Sequence, residues 1–363
     1  MKLTDLLQLA VDNEASDLHI MAGVSPVLRV DGEILITDFP PMTPALIEEL
    51  LSSVLSPEKQ DALRKQQQLC YSLSVPDLGY FRIAVYYGLG NLGAAIRVGI
   101  TKIRSLEELG LPSTVADMTR KKSGLILVTG PTGSGKTTTL NSMIDLINRE
   151  RRCKIITVED PVEYVHSNKR SIIVQQELYT DTSSFEKALV HALRQDPDVI
   201  GVGEMRELDT ISTALTAAET GHLVLSTLHT ANAPLTIERI IDVFPPNQQA
   251  QVRSQLANVL IAVVSQQLLP RIDKRGRVLA TELMMGTPAV TNIIRGDKLE
   301  QLHNVLHTGR VEGMYTIDSS VKSLYEKGVI TYDTALTIAR FPDEIRAKSQ
   351  EVDTFAVNKT RQL

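Results

Sequence analysis

Two hydrophobic rhythms divide the chain. Up to residue 100 the apolar positions recur at helical spacing or in alternation with polar ones. Leu3, Leu6, Leu7 and Ala10 share one helical face. Strand-like stretches follow at 17–20 and 27–36, and Asp31-Gly32 inside the second supplies a hairpin turn. Thr43-Pro44 and Ser56-Pro57 each set a capping hydroxyl before a proline, which predicts two helix starts. Alternation at 69–75, 80–86 and 93–98 predicts three more strands. From Ser123 the rhythm changes to continuous apolar runs, at 125–129, 155–158, 172–174, 199–202 and 223–227, separated by helix-length segments. Strands without polar alternation are buried on both faces, so these runs predict a mostly parallel sheet covered by helices. Beyond about residue 245 helices dominate the pattern, and it ends in a polar tail, 352–363, expected to fray. The intervening stretch 99–122 reads as a linker with one short helix, begun by Ser105 and stopped near Gly110-Leu111-Pro112.

The expected fold class is therefore α/β. An α+β domain occupies 1–100, a linker 101–122, and an α/β domain with a helical C-terminal region 123–363. A chain of 363 residues suits two or three such domains. Composition narrows the function. The net charge of -5 gives no general attraction to nucleic acid or anionic lipid, and with no tryptophan and 4% aromatics there are few platforms for stacking bases. The two cysteines, Cys70 and Cys153, form no CxxC pair, which excludes a zinc ribbon and argues against a disulfide framework. A reducing cytoplasm fits. The N-terminus MKLTDLLQLAVDNEASD carries acidic residues where a signal peptide has its apolar region. The least charged long stretch, 254–270, is broken by Ser254, Gln255, Asn258, Ser265, Gln266 and Gln267, so it is not expected to span a membrane.

The most specific chemistry follows the first apolar run of the second domain. GPTGSGKTTTL, Gly130 to Leu140, meets the pattern G-x-x-x-x-G-K-[ST] between a strand and a helix. Glycine lets the backbone turn its N–H groups into a concave cradle, and the helix aims its positive end at the same anion. Gly130, Pro131, Thr132, Gly133, Ser134, Gly135, Lys136, Thr137 and Thr138 are the expected nucleotide-binding residues. Lys136 would reach the β- and γ-phosphates and the Thr137 hydroxyl would hold Mg²⁺.

Four further segments bear on hydrolysis. ITVEDPVEY ends a buried strand in Glu159, Asp160 and Glu163; one carboxylate could polarise water and another hold Mg²⁺ through water, or the three form a solvated acidic turn. DPDVIGVGEMR has the form of a Walker B strand, with Glu204 beside Mg²⁺ or else capping the next helix. TGHLVLSTLHT brackets a strand with His222 and His229; His222 is structural or catalytic, while His229, with Thr227 and Thr230, falls on the phosphate side. Arg82, Arg97 and Arg104 are candidates to stabilise charge on a transferring phosphoryl group, or else they form surface salt bridges.

Taken in order, these segments resemble the secretion ATPase superfamily, the hexameric motors of type II secretion and type IV pili. ASDLHI (15–20), RVDGEI (29–34) and FRIAVY (81–86) resemble that family's N-terminal domain. Within it the chain is most similar to the type IV pilus retraction ATPases. Assembly and type II secretion members usually carry an extra N-terminal domain and a four-cysteine zinc element, and neither is expected here. AVTNIIR (289–295) and GMYTIDSSVKSLYEKGVI (313–330) are similar to retraction motifs, with Thr291 where that group has arginine. Gly90 stands where some relatives carry arginine, so no arginine finger is expected there. The resemblance implies a PAS-like first domain and a RecA-like P-loop ATPase domain, with ATP and Mg²⁺ as ligands. It implies Glu163 as general base, Glu159 in support, Glu204 positioning Mg²⁺ or its waters, and His229 on the γ-phosphate. Arg82 and Arg97 would approach the nucleotide of their own or of a neighbouring subunit. The implied partners are five further copies in a homohexamer and an inner-membrane pilus platform protein, with no direct nucleic-acid contact. The implied location is cytoplasmic, peripheral at the inner membrane through the pilus machine, with the segment 99–122 as hinge. The alternatives are a pilus assembly or type II secretion motor, an accessory retraction paralogue, a nucleic-acid translocase, and a non-catalytic nucleotide-binding scaffold.

Overall fold

A computed structural model describes residues 1–346 apart from 31, 77, 100, 101, 274 and 275. The hairpin residue Asp31 and the polar tail 352–363 lie outside the described residues. The chain forms two compact units: 1–102 with 162–166, and 103–161 with 167–363.

The first unit runs α1 (Leu3–Asp12), β1 (Asp17–Ile20), β2 (Val27–Val30), β3 (Glu33–Ile36), α2 (Pro44–Ser52), α3 (Pro57–Gln66), β4 (Gln68–Val75), β5 (Gly79–Gly88) and β6 (Asn91–Val98). Thr43 and Ser56 cap α2 and α3 through their hydroxyls, each with proline at the helix start, as their dipeptides predict. The six strands make one sheet in the order β3-β2-β1-β6-β5-β4, antiparallel at every pairing. Leu6 and Leu7 of α1 meet Ile20, Phe81, Ile83 and Ile96 of the sheet in the core of this unit.

The second unit runs α4 (Ser113–Thr119), β7 (Gly124–Thr129), α5 (Lys136–Glu150), β8 (Lys154–Glu159), β9 (Ile172–Glu177), α6 (Phe185–Ala192), β10 (Val199–Val202), α7 (Leu208–Glu219), β11 (Leu223–Leu228), α8 (Ala233–Asp242), α9 (Pro246–Val259), β12 (Leu260–Pro270), β13 (Arg277–Met285), α10 (Pro288–Arg295), α11 (Leu302–Thr308), α12 (Ile317–Glu326), α13 (Tyr332–Ile338) and α14 (Asp343–Arg346). Its seven strands lie in the order β13-β12-β7-β11-β10-β8-β9. All pairings are parallel except β12 with β13. Consecutive residues of β7 face opposite ways into separate cores: Leu125 and Leu127 into one, Ile126 and Val128 into the other. That double burial is why the strand reads as one apolar run.

Two local expectations fail. The segment begun by Ser105 makes a single capped turn rather than a helix: Ser105 N–H donates to Glu108 and Glu108 N–H to Ser105 Oγ. The helix lies beyond Gly110-Leu111-Pro112, at α4. The region after residue 245 is also not wholly helical, because β12 and β13 complete the sheet. The polar residues of β12 disguise it. Ser265 and Gln266 interrupt its apolar run in sequence, yet both are buried against the strand and loop beside them. Its β-branched Ile261, Val263 and Val264 suit the pleated sheet.

Candidate active site

The sheet order sets the site. β7 lies beside β11, then β10, then β8, so the carboxyl ends of four parallel strands open side by side. Ligands of open α/β sheets bind at such an edge. The loop Gly130–Gly135 leaves β7 there and enters α5 directly. Gly133 (φ 76°) and Gly135 (φ 89°) adopt the left-handed region, and Gly130 (φ 146°) is also at positive φ. A side chain at Gly130 would come within 2.2 Å of the Gln266 carbonyl, so this glycine is required by space as well as by conformation.

Lys136 Nζ donates to the carbonyls of Gly130 (3.0 Å) and Pro131 (3.1 Å), folded back across its own loop. His229, just past β11, has Nδ1 3.4 Å from Lys136 Nζ and 3.4 Å from Thr132 Oγ1. Its Nε2 lies 3.1 Å from Glu204 Oε2, just past β10. An ammonium can only donate, so Nδ1 is the acceptor and Nε2–H donates to Glu204. Burial, with the cations Lys136 and Arg206, holds the His229 pKa below the usual imidazole value and keeps this neutral tautomer. Burial first, then Arg206, lowers the Lys136 pKa as well. Arg206 closes the cluster with an ion pair to Glu204. Arg206 has no expected role in the sequence; its two-residue spacing from the Walker B acid is its only signal there.

Glu159 ends β8, buried, and accepts from Thr157 Oγ1 (2.6 Å) and Gln175 Nε2 (3.0 Å). Gly203 N–H donates to Val158 O at 2.7 Å, which ties the start of the Glu204 turn to β8. Thr137 and Thr138 occupy the first turn of α5. Thr227 Oγ1 donates to Gly203 O at 2.6 Å, bracing the Glu204 turn, and Thr230 pairs with Thr236 at 2.6 Å. His222 belongs to a different end: its Nδ1 lies 2.9 Å from the Ala217 carbonyl at the close of α7, the structural alternative.

Glu163 is placed in the first unit with Arg82 and Arg97. These arginines stand directly opposite each other on β5 and β6, with Asp17 of β1 the next partner of Arg97. Arg97 Nε contacts Asp17 Oδ1 at 3.1 Å. Like charges facing across a ladder cost stability, and Asp17 offsets part of that repulsion through its ion pair with Arg97. Burial raises the Glu163 pKa above its usual range, opposed by Arg97 and Arg82. Arg104 is exposed and lies in the second unit, apart from Arg82 and Arg97 in the first.

The loop's geometry fits a nucleotide phosphate chain. Ser134 Oγ is buried with no hydrogen-bond partner in the cradle wall, and the left-handed glycines free the backbone amides to face an anion. Among the described residues no group of three or more His, Cys, Asp or Glu is gathered for a metal. No helix of the described residues is long and apolar enough to cross a membrane.

Residues 94–349 match the family described as Type II/IV secretion system protein. A type IV pilus retraction ATPase of Pseudomonas aeruginosa, PilT, is 42% identical over 94% of this chain and 99% of its own length. A twitching motility protein of Neisseria gonorrhoeae is 43% identical over 92% of this chain and 89% of its own. The crystal structure of the pilus retraction motor PilT with bound ADP covers 96% of this chain and 99% of its own, at 45% identity and a TM-score of 0.88. The chain therefore belongs to the Type II/IV secretion system protein family, and its P-loop site is that of an ATPase.

Proposed function

We propose that this protein is an ATP-hydrolysing motor that drives retraction of type IV pili. One observation carries the chemistry: Lys136, His229, Glu204 and Arg206 converge on a glycine-built anion cradle at the carboxyl edge of a parallel sheet. The near full-length likeness to retraction motors supports the direction of work. The first unit is read as PAS-like and the second as RecA-like.

Nucleotide binding draws Lys136 off the Gly130 and Pro131 carbonyls and onto the β- and γ-phosphates. Gly133 to Thr137 supply backbone N–H groups. The Thr137 hydroxyl and, through water, Glu204 would hold Mg²⁺, which would supply positive charge against the phosphates. Glu163 is the general base for the attacking water; burial raises its affinity for the proton it must accept. Glu159, fixed by Thr157 and Gln175, supports the neighbouring Glu204 turn. His229 links Lys136 to Glu204 and reports the γ-phosphate to the Walker B turn. Arg82 and Arg97 stabilise charge on the γ-phosphate of an adjacent subunit in a homohexamer, which acts on an inner-membrane platform protein. The motor reaches the membrane through that partner and binds no nucleic acid.

Phosphate release by the purified chain tests the reading. Wild type hydrolyses ATP with Mg²⁺, and Lys136→Ala does not while keeping the wild-type melting temperature. Equal turnover in the variant would remove the P-loop from the mechanism.

A further inference from the structure

The P-loop is held from outside by β12, the strand that sequence rhythm conceals. Ser265 of β12 pairs with Thr129, the last residue of β7, and Thr129 Oγ1 donates to Ser265 Oγ at 2.8 Å. The next residue, Gln266, touches the loop twice. Its carbonyl lies against Gly130, where a Cβ would approach it to 2.2 Å. Its side-chain Nε2 donates to the Ser134 carbonyl at 2.8 Å. Only the NH₂ end of an amide can satisfy a carbonyl, so the orientation of this side chain is fixed by chemistry. Gln266 and Ser134 are 3% and 2% exposed.

The arrangement has a cost. Gln266 Oε1 is buried without a hydrogen-bond partner. A buried unsatisfied acceptor is unfavourable, and an aliphatic side chain would fill the same place without that penalty. The amide must therefore gain something through its other end, and its one donor contact is Ser134 O.

That contact bears on the phosphates. In a trans peptide the C=O and the following N–H point in opposite directions. Holding Ser134 C=O toward β12 aims Gly135 N–H away from β12, at the start of α5 where the anion sits. The peptide is otherwise free to rotate, because Gly135 is in the left-handed region and Gly133, one residue before Ser134, is also a glycine at positive φ. A flipped peptide would present an oxygen to the phosphates in place of a donor. Leu268 and the Gln266 amide also stand 3.6 Å and 3.3 Å from where a Cβ of residue 135 would lie, so β12 lines the loop at this point.

We infer that Gln266 is a positioning residue for the nucleotide: by pinning the Ser134 carbonyl it locks the Gly135 N–H toward the phosphate chain. This rests on reading the loop as a nucleotide site. Pinning raises the fraction of loops competent to bind, and apparent affinity scales with that fraction.

The test is calorimetric titration of the full chain with ADP and Mg²⁺, with ATPase kinetics alongside. Gln266→Leu keeps the volume and removes the donor. Its dissociation constant for ADP and its KM for ATP rise about threefold to tenfold, the worth of one hydrogen bond, while kcat changes less. Gln266→Glu adds a readout that loosened packing would not give. An ionised carboxylate cannot donate to a carbonyl, whereas a protonated one can, and burial favours the protonated form. Its affinity deficit against wild type therefore shrinks between about pH 8 and about pH 6. ADP affinity within about twofold of wild type in Gln266→Leu, or a Gln266→Glu deficit that ignores pH, overturns the inference. If Gln266→Leu does not fold, the pH series of Gln266→Glu decides alone. Failure of the wild type itself to bind ADP overturns the nucleotide reading instead.

Discussion

At the scale of single residues the chemistry rests on a relay from Lys136 through His229 to Glu204. The relay needs neutral His229, since a protonated ring would turn a second donor toward Lys136. The folded pKa lies below 6.5, so the unfolded chain protonates first on acidification and this histidine withdraws stability below that value. Glu163, whose pKa lies above 4.5, must also lose its proton before it can act as a base. Turnover is therefore expected to fall on acidification as Glu163 and His229 take up protons, measured as kcat against pH. Turnover that stays level across the acid range in which the chain remains folded would contradict the roles given to both. Glu204→Gln keeps the hydrogen-bonding shape but not the charge; it should bind ADP normally and hydrolyse ATP slowly, by about 10²-fold or more. Weak ADP binding in that variant would make Glu204 structural. The motif residues were legible in the sequence because each ends an apolar run. Arg206 was not, since nothing in one dimension shows that its guanidinium folds back on Glu204. The choice between roles for His222 also needed three dimensions: its partner is the carbonyl of Ala217, five residues back.

At the scale of elements, β7 and its loop are the best specified part of the chain. Double burial makes the strand a pure apolar run, and the glycines after it have separate reasons to be there. Gly130 is held by space and Gly133 only by conformation, because a Cβ at Gly133 meets nothing within 4 Å. Gly133→Ala is thus expected to cost about 1–2 kcal/mol by thermal or denaturant melting. Gly130→Ala, driven into the Gln266 carbonyl, should cost more and should lose ADP binding. Equal costs would mean that β12 yields freely and does not brace the loop. β12 is also where sequence rhythm misled most. A strand whose polar residues are buried by a neighbouring loop looks, in sequence, like an interrupted helix. The turn at Ser105 misled for a related reason: a capping box announces a helical start, but Gly110 at φ 79° and Pro112 end it after one turn.

At the scale of the whole molecule, the residues of the proposed mechanism fall in both compact units, with Glu163, Arg82 and Arg97 in the first and the P-loop in the second. The facing arginines of β5 and β6 are the cations the first unit offers to that proposal, one of them paired with Asp17. In the proposed homohexamer they act on a neighbour's nucleotide. Arg82→Ala with Arg97→Ala should reduce turnover by about 10³-fold while leaving ADP affinity near wild type. Light scattering with ATP and Mg²⁺ should show a hexamer; a monomer at every concentration would exclude action in trans. The central claim joins hydrolysis at this loop to withdrawal of a pilus, and it is tested most directly by imaging fluorescently labelled pili on living cells whose only copy carries Lys136→Ala. The account predicts cells crowded with pili that extend and do not retract. Bald cells, or pili retracting at the wild-type rate, would contradict it.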